Sequence, residues 1–245
     1  MPKPSASVSS SATRSRPRRV VITIDGPAGV GKSTTAKLLA QRLGLLYLDT
    51  GATYRAVAHE VLAHHADPSD AARVARLARA VRLELQRSLE GELRVLVSGH
   101  DITRAIRSER VTETAAIIAQ HPRVRRALVA LQRKLAQRRS VVVEGRDTGS
   151  VVFPRANYKF FLTADVRIRA QRRREELLTL HGEAPASTAL ARQLGRRDRL
   201  DRTRMVGPLI KPDGAIVFNT TRLDADTVVT RMLRRVRPSI VPPES

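Results

Sequence analysis

The chain of 245 residues contains no cysteine and no tryptophan, and its aromatic residues are three tyrosines and four phenylalanines. Without cysteine, disulfides, thiolate metal sites and thiol nucleophiles are excluded. With so few aromatic rings, stacking platforms for single-stranded nucleic acid are scarce. No apolar run approaches the roughly 18 residues that a membrane-spanning helix needs. We therefore expect a cytoplasmic protein without a membrane partner.

Acidic residues and lysine are also scarce in comparison with arginine. The chain has 23 Asp and Glu against 45 Lys and Arg, only six of which are Lys, and its formal net charge is +22. Such a charge favours anionic partners, which include nucleic acid, acidic lipid and phosphorylated small molecules. The hydrophobic fraction of 42% is enough for a packed core and excludes a wholly disordered chain.

The composition divides the chain into a body and two tails. Residues 1–19, MPKPSASVSSSATRSRPRR, hold five basic residues and no acid, which predicts a disordered basic tail. They lack the apolar segment of a secretory signal. An organelle-targeting peptide is the alternative, although the stretch is short. We predict one domain over residues 20–237 and a C-terminal tail over 238–245.

The body alternates short β-branched runs with helical patterns, which predicts an α/β fold with a doubly wound parallel sheet. An antiparallel hairpin is expected from two runs, Leu83–Gln86 and Leu93–Val97, joined through Glu90-Gly91. The predicted parallel strands cover residues 20–24, 45–48, 141–143, 158–162 and 215–218.

A glycine-rich segment, GPAGVGKS, matches the pattern G-x-x-x-x-G-K-[ST] between a predicted strand and a predicted helix. Glycines permit positive φ, so that backbone N–H groups can surround phosphate oxygens at a helix N-terminus. Lys32 can reach the β- and γ-phosphates, and the Ser33 hydroxyl can ligate Mg²⁺. This motif predicts nucleoside triphosphate binding by Gly26, Pro27, Ala28, Gly29, Val30, Gly31, Lys32, Ser33 and Thr34.

Three later segments combine arginine with carboxylates. DTGATYR begins at Asp49, EGRDTGSVVFP begins at Glu144, and RDRLDRTR begins at Arg197 and is followed by Pro208-Leu209. The first two follow predicted strands, and ligands of open α/β sheets bind at such strand ends. In this order, and together with the phosphate loop, the segments resemble bacterial cytidylate kinase over about residues 20–237.

The resemblance implies a P-loop kinase with a small monophosphate-binding insertion, about residues 55–120, and a helical lid, about residues 165–204. It implies transfer of the γ-phosphoryl group of ATP to CMP or dCMP, giving CDP or dCDP and ADP, with Mg²⁺ as cofactor. The implied partners are these nucleotides, with no specific nucleic acid, and the implied state is a monomer.

The resemblance also implies roles for single residues. Thr50, Arg55 and Arg146 would hold the phosphate of the acceptor. Arg125, Asp147 and Arg204 would read the cytosine, because a carboxylate can accept from its amino group and repels the carbonyl of uracil. Arg197 and Asp201 would lie near the ribose and the lid, and Glu144 near the ribose or a metal-bound water. The implied catalytic residues are Lys32, Arg146, Arg197 and Arg204, and the metal ligand is Ser33.

Thr50 keeps the hydroxyl of the serine that is common at its position, and two other positions depart from the family pattern. Glu144 stands where Asp is more frequent, and Ala116 stands where related kinases often offer a serine to the base. The second departure puts one cytosine contact, and the margin against UMP, in question. A kinase for UMP or AMP is therefore one alternative. Another is a nucleic-acid-binding protein with a regulatory ATP site, although no helix-turn-helix or RNP signature is visible.

Most arginines should be solvated charges on helix surfaces, because 39 of them exceed what a nucleotide site can use. The run Arg167, Arg169, Arg172, Arg173 and Arg174 is interpreted in this way, with some members facing ATP at best. Asp25, which precedes the phosphate loop, is expected to cap or steady the loop and not to act in catalysis.

Overall fold

A computed structural model describes residues 19–87, 93–137 and 139–240. The predicted N-terminal tail up to residue 18, the hairpin turn at Glu90-Gly91, and residues 241–245 of the predicted C-terminal tail lie outside these ranges. Among the described residues, no helix has both the length and the apolar character to cross a membrane.

The described chain contains eight strands and eight α-helices. The strands are β1 (Val21–Asp25), β2 (Leu46–Asp49), β3 (Leu83–Arg87), β4 (Leu93–Val97), β5 (His100–Asp101), β6 (Val141–Gly145), β7 (Tyr158–Thr163) and β8 (Ile216–Asn219). The helices are α1 (Lys32–Leu43), α2 (Thr50–Ala63), α3 (Ala71–Ala80), α4 (Glu109–Ile118), α5 (Pro122–Leu135), α6 (Val166–His181), α7 (Ser187–Thr203) and α8 (Ala225–Ile240).

The central sheet has the strand order β2-β6-β1-β7-β8, and all of its pairings are parallel. Strand β1 lies in the middle and every one of its residues is buried, as a β-branched run covered on both faces requires. The predicted α/β fold with a doubly wound parallel sheet is confirmed. Because the strands are parallel, Asp25, Asp49 and Glu144 all lie at one edge, where the register pairs Asp49 with Glu144.

Helix α1 links the phosphate loop to the core. Its Ala36, Leu39 and Ala40, spaced by three and four residues, are fully buried against the sheet and α8. It ends at Gly44, whose positive φ of 64° lets its N–H bond back to the carbonyls of Ala40 and Gln41. Both the helix and its end agree with the sequence pattern.

The segment between β2 and β6 forms a second apolar core with its own small sheet. Strands β3 and β4 pair in antiparallel fashion, with Leu83 opposite Val97, so the predicted hairpin is present. Strand β5 adds a third, unpredicted strand to this sheet. With two residues it is too short to show an alternating pattern. Helices α2, α3, α4 and α5 all contribute to this core, through residues that include Val57, Val74 and Leu128.

Helices α6 and α7 occupy the region predicted as the lid and pack on each other. Ala170 of α6 and Leu190 and Leu194 of α7 form a small apolar cluster with Ala28 of the phosphate loop. Helix α8 continues to Ile240, so residues 238–240 belong to a helix and not to the predicted tail. The helix is packed against the core as far as Val236, and its last residues extend that helix.

Candidate active site

The phosphate loop connects β1 to α1 and has left-handed backbone at three glycines, with φ of 149° at Gly26, 75° at Gly29 and 87° at Gly31. A side chain at Gly26 is excluded by space as well, because a Cβ atom would lie 2.3 Å from the carbonyl oxygen of Leu162 in β7. The motif thus folds as predicted, into a glycine-rich turn between β1 and the N-terminus of α1.

Lys32 is the first residue of α1, and its Nζ donates to the carbonyl oxygen of Pro27 at 2.6 Å. Burial, with the nearby positive charge of Arg146, lowers the pKa of Lys32 to about 7. The charge of Arg197 contributes to this lowering of the pKa, so Lys32 and these two arginines lie within electrostatic range of one another. A polyanion bound among them would favour the charged form of all three.

Ser33 and Glu144 provide neighbouring oxygen atoms. Ser33 Oγ donates to Glu144 Oε2 at 2.9 Å, and the Tyr47 hydroxyl donates to Glu144 Oε1. Burial and the charge of Asp49 raise the pKa of Glu144. Sequence reasoning missed Tyr47, whose only signal was its place two residues before Asp49 on a buried strand. Within the described ranges, no three His, Asp or Glu side chains cluster as a metal site.

The N-terminus of α2 carries the next group. Asp49 caps the helix by accepting from the Ala52 N–H at 3.0 Å, and it accepts from Arg55 Nη2 at 2.7 Å. Although burial opposes it, the charge of Arg55 keeps the pKa of Asp49 below its usual range. Thr50 Oγ1 donates to the backbone oxygen of Glu144 at 2.7 Å, which joins α2 to the end of β6.

Asp147 lies buried between two arginines from distant segments. Arg125 Nη2 of α5 donates to Asp147 Oδ2, and Arg204 Nη2 lies 3.5 Å from Asp147 Oδ1. The Arg125 guanidinium also lies over the ring of Tyr54, 5.6 Å from its centroid. Gly207, at φ 62°, closes over this pair, since a Cβ there would lie 2.2 Å from Asp147 Oδ2. The three residues expected to read the base are therefore adjacent, and Tyr54 is an addition.

Asp201 extends this group toward the phosphate loop. Arg146 Nε donates to Asp201 Oδ2 at 2.9 Å, and Arg204 Nη1 donates to Asp201 Oδ1 at 3.3 Å. Arg125, Arg146, Asp147, Asp201 and Arg204 are named the arginine–aspartate cluster below. They comprise three arginines and two aspartates, so the cluster carries excess positive charge.

Arg197 lies next to this cluster and adds to the excess. It makes no ion pair with any described residue. Burial and the charge of Arg146 lower the pKa of Arg197 to about 10, partly offset by Asp201. A half-buried guanidinium without an ion-pair partner is costly unless an anion joins it. The arrangement is suited to an anionic ligand.

Asp25 has a different role from the one expected. Its carboxylate accepts from the N–H and the Oγ1 of Thr148, at 2.7 and 2.8 Å, and from the N–H of Gly149 at 2.7 Å. It therefore steadies the turn after β6, which carries Arg146 and Asp147, and the expectation that it steadies the phosphate loop itself is wrong. The parallel pairing of β1 with β6 brings the two strand ends together.

The interpretation of the arginine run as solvated is wrong for two members. Arg169 is buried and pairs with Asp198 at 2.6 Å. Arg172 is half-buried and donates to the backbone oxygens of Thr220 and Leu223. Helical spacing alone places both on one face of α6, but only the packing of α7 and the β8–α8 turn makes that face internal.

The family model described as cytidylate kinase matches residues 22–238 of the chain. The chain belongs to the cytidylate kinase family. The cytidylate kinase of Pelotomaculum thermopropionicum is 44% identical over 215 residues, which are 88% of this chain and 95% of that protein. The cytidylate kinase of Geobacillus kaustophilus is 44% identical over 223 residues, 91% of this chain and 99% of that protein.

A longer relative, the bifunctional pantoate ligase/cytidylate kinase of Gloeobacter violaceus, is 43% identical over 225 residues. That match covers 91% of this chain and 44% of the relative, so the chain spans less than half of it. Membership of the cytidylate kinase family makes the chain a nucleotide-binding phosphotransferase of the nucleoside monophosphate kinase class, as the resemblance implied.

Proposed function

We propose that the enzyme transfers the γ-phosphoryl group of ATP to CMP or dCMP, giving CDP or dCDP and ADP. The observation that supports this most is the meeting of two features at one sheet edge. Lys32 of the phosphate loop lies within electrostatic range of Arg146 and Arg197, and Arg146 is linked to Asp147 through Asp201 and Arg204. Two anionic substrates could thus approach each other across a shared set of cations.

The donor would bind at the phosphate loop. Backbone N–H groups of Gly26 to Thr34 and the ammonium of Lys32 would hold the phosphates. Ser33 and Glu144 would hold Mg²⁺, which prefers oxygen ligands and usually retains several waters. When bound, the ion would neutralise charge on the phosphate oxygens.

The acceptor would bind between α2, the end of β6 and α7. Thr50, Arg55 and Arg146 would hold its phosphate, while Arg197 and Asp201 would contact the ribose. Arg125, Asp147 and Arg204 would read the base. An ionised carboxylate offers about four acceptor positions, so Asp147 could keep both arginines and still accept from a cytosine amino group. A uracil carbonyl at that place would meet a second acceptor and be rejected.

The chemistry asks the protein for positioning and charge stabilisation more than for covalent participation. Lys32, Arg146, Arg197 and Arg204 would supply donors for the charge that spreads over the phosphoryl oxygens. Helices α6 and α7 would close over the nucleotides and exclude water, which limits wasteful hydrolysis of ATP. We propose that the enzyme works as a monomer, without a specific nucleic acid partner.

An acceptor panel tests the proposed function. ADP formation is measured with Mg²⁺ and with CMP, dCMP, UMP, AMP or no acceptor, and each reaction is repeated with a chelator. CMP and dCMP should exceed UMP and AMP about 5- to 150-fold in kcat/KM, because a mismatched hydrogen-bonding edge costs about 1–3 kcal/mol. Equal rates with UMP or AMP would overturn the cytidylate assignment, and undiminished turnover with the chelator would overturn the metal assignment.

A further inference from the structure

The tip of the phosphate loop is held by side chains that lie outside the loop. Arg169 Nη1 of α6 donates to the carbonyl oxygen of Ala28 at 3.1 Å. Asp198 Oδ1 of α7 accepts from the Ala28 N–H in a long hydrogen bond of 3.4 Å. The same arginine nitrogen donates to Asp198 Oδ2 at 2.6 Å. Both peptide groups that flank Ala28 are thus fixed by one ion pair, named the loop pair below.

The loop pair is internal. Arg169 and Asp198 are 7% and 5% exposed, and breaking a buried pair by removing one partner leaves an uncompensated charge. Ala28 also packs on the apolar cluster between the two lid helices. A Cβ added at Gly29 would lie 3.1 Å from both the Cβ and the backbone oxygen of Arg169, so α6 lies directly against the loop.

A second support lies on the other side of the loop. Thr220 Oγ1, after β8, donates to the carbonyl oxygen of Val30 at 3.0 Å, and Arg172 Nη1 donates to that hydroxyl at 3.2 Å. Helix α6 therefore contributes to the support of Ala28 directly and of Val30 through Thr220. The backbone between these two points is Gly29, which without support would be the freest part of the loop.

We propose that Arg169 and Asp198 are positioning residues for the phosphate donor. By fixing both peptide groups at Ala28, the loop pair holds the left-handed turn that aims the loop N–H groups at phosphate. It also makes the shape of the loop depend on the packing of α6 on α7. The inference rests on the proposed role of the loop in ATP binding, and it assigns no contact between these two side chains and either nucleotide.

This arrangement has a selective consequence. Loss of the loop pair should weaken the binding of ATP, because a misplaced N–H group loses its hydrogen bond to a charged phosphate, which corresponds to about 10- to 100-fold in affinity. Binding of CMP should change little, because the loop pair makes no hydrogen bond or ion pair with the arginine–aspartate cluster. A pair that merely stabilised the fold would affect both substrates alike.

The test measures ATP and CMP binding separately by titration calorimetry, together with kcat and the melting temperature. The main variant is Arg169→Met with Asp198→Leu, which removes both charges at similar volume and avoids an unpaired buried ion. We expect the Kd of ATP to rise about 10- to 100-fold and that of CMP to change less than about twofold. Arg169→Lys, which keeps the charge, should lose clearly less ATP affinity than Arg169→Met.

The matched control is Arg42→Met with Asp226→Leu, which removes an exposed arginine–aspartate pair joining α1 to α8 far from the loop tip. Its ATP and CMP affinities should equal those of the wild type. An unchanged Kd of ATP in the loop-pair variant would overturn the proposal, as would equal losses for ATP and CMP. If the double variant does not fold, Arg169→Met alone decides by the same two titrations, and a wild-type Kd of ATP in that variant overturns the proposal.

Because ATP binding is measured without an acceptor, this result is independent of the acceptor panel. A wild-type protein that binds ATP but does not phosphorylate CMP would contradict the proposed function and leave the role of the loop pair testable. If the wild type phosphorylates CMP but the double variant binds ATP with unchanged affinity, only the proposed role of the loop pair is contradicted.

Discussion

The loop pair and the arginine–aspartate cluster are built from the same two residue types, and both are largely buried. They differ in charge balance and in what the side chains face. The loop pair has one arginine and one aspartate, and its remaining contacts go to the backbone of Ala28. The cluster has three arginines for two aspartates and lies beside the unpaired Arg197. The first arrangement balances its charge within the protein, whereas the second has excess positive charge that an anion would balance.

This difference separates support from ligand binding better than burial does. In the loop pair, Asp198 neutralises the charge of Arg169, and both side chains also form hydrogen bonds with the peptide groups of Ala28. In the cluster both aspartates are shared between arginines, which orients the guanidinium groups but leaves positive charge over. Removing one partner of the loop pair should therefore lower the stability of the fold. Removing an arginine at or beside the cluster should lower substrate binding or turnover with little loss of stability.

The largest effect is expected at Lys32, which belongs to the phosphate loop but titrates under the influence of Arg146 and Arg197. Lys32→Ala should lower kcat by about 10³-fold with every acceptor, because a charge donor aimed at the reacting phosphates is lost. The melting temperature should not fall, because burial disfavours the charge of the Lys32 ammonium in the folded protein and the substitution removes that charge. Steady-state kinetics and calorimetric melting measure both. Turnover within tenfold of wild type would contradict the assignment.

Asp147→Asn tests whether the cluster reads the base. The variant keeps the shape of the side chain but replaces one acceptor with a donor, so kcat/KM for CMP should fall about 10- to 100-fold relative to UMP. The KM for ATP should stay within about twofold, which is the reverse of the pattern expected at Asp198. Competition between CMP and UMP in one reaction gives the ratio directly. An intact preference for CMP would show that base reading lies elsewhere.

Arg197→Gln separates function from stability. Burial and the charge of Arg146 lower the pKa of Arg197 to about 10, which means that its charge is disfavoured in the folded protein. The variant should lose about 10- to 100-fold in kcat while its free energy of unfolding stays level or rises. Chemical denaturation and single-turnover kinetics provide the two values. A loss of stability like that of Arg169→Met would show that Arg197 has a hidden partner.

The pH dependence of ATP binding sharpens the same contrast. Because burial lowers the pKa of Lys32 to about 7, the Lys32 side chain is largely neutral at about pH 8 when no ATP is bound. Bound phosphates raise that pKa again, so binding takes up a proton and affinity falls as pH rises, by at most about tenfold per unit. Calorimetry in buffers of different ionisation enthalpy measures the proton. Uptake should vanish in Lys32→Met and persist in the loop-pair variant.

The smallest effect is expected at the exposed pair Arg94–Asp101, which provides a solvated reference for the two buried groups. Arg94→Gln should change the free energy of unfolding by about 0.5 kcal/mol or less, because water screens such pairs. ATP and CMP kinetics should match those of the wild type. A loss above about 2 kcal/mol would mean that exposed arginines in this basic protein carry more stability than single ion pairs usually do.

Several parts of the molecule were predictable from neighbouring residues. The phosphate loop, the strand before it and the helix after it follow from glycine conformation and from apolar spacing in one short segment. The resemblance placed Arg125, Asp147, Arg204 and Asp201 in one site, and in the structure their side chains are in contact or share a partner. Which substrate atoms they contact stays a prediction.

Other parts were not predictable in this way. Tyr47 of β2 donates to Glu144 of β6, which is 97 positions away in the chain, and the two residues are neighbours only because these strands pair. Asp25 supports the turn at Thr148 through the neighbouring pairing of β1 with β6. Nothing in the local pattern of either residue reveals its partner, because strand order is set by how the whole sheet and its helices pack.

The sequence by itself determined the chemistry available to this protein: a phosphate loop, carboxylates at strand ends and far more arginine than acid. Only the tertiary structure decided which arginines became supports and which were left to bind an anion. Arg169 meets Asp198 29 residues away and Ala28 141 residues away, whereas Arg197 meets no carboxylate among the described residues. The physical reason is that a guanidinium takes its role from burial and from the charges beside it, and both arise only when distant segments pack.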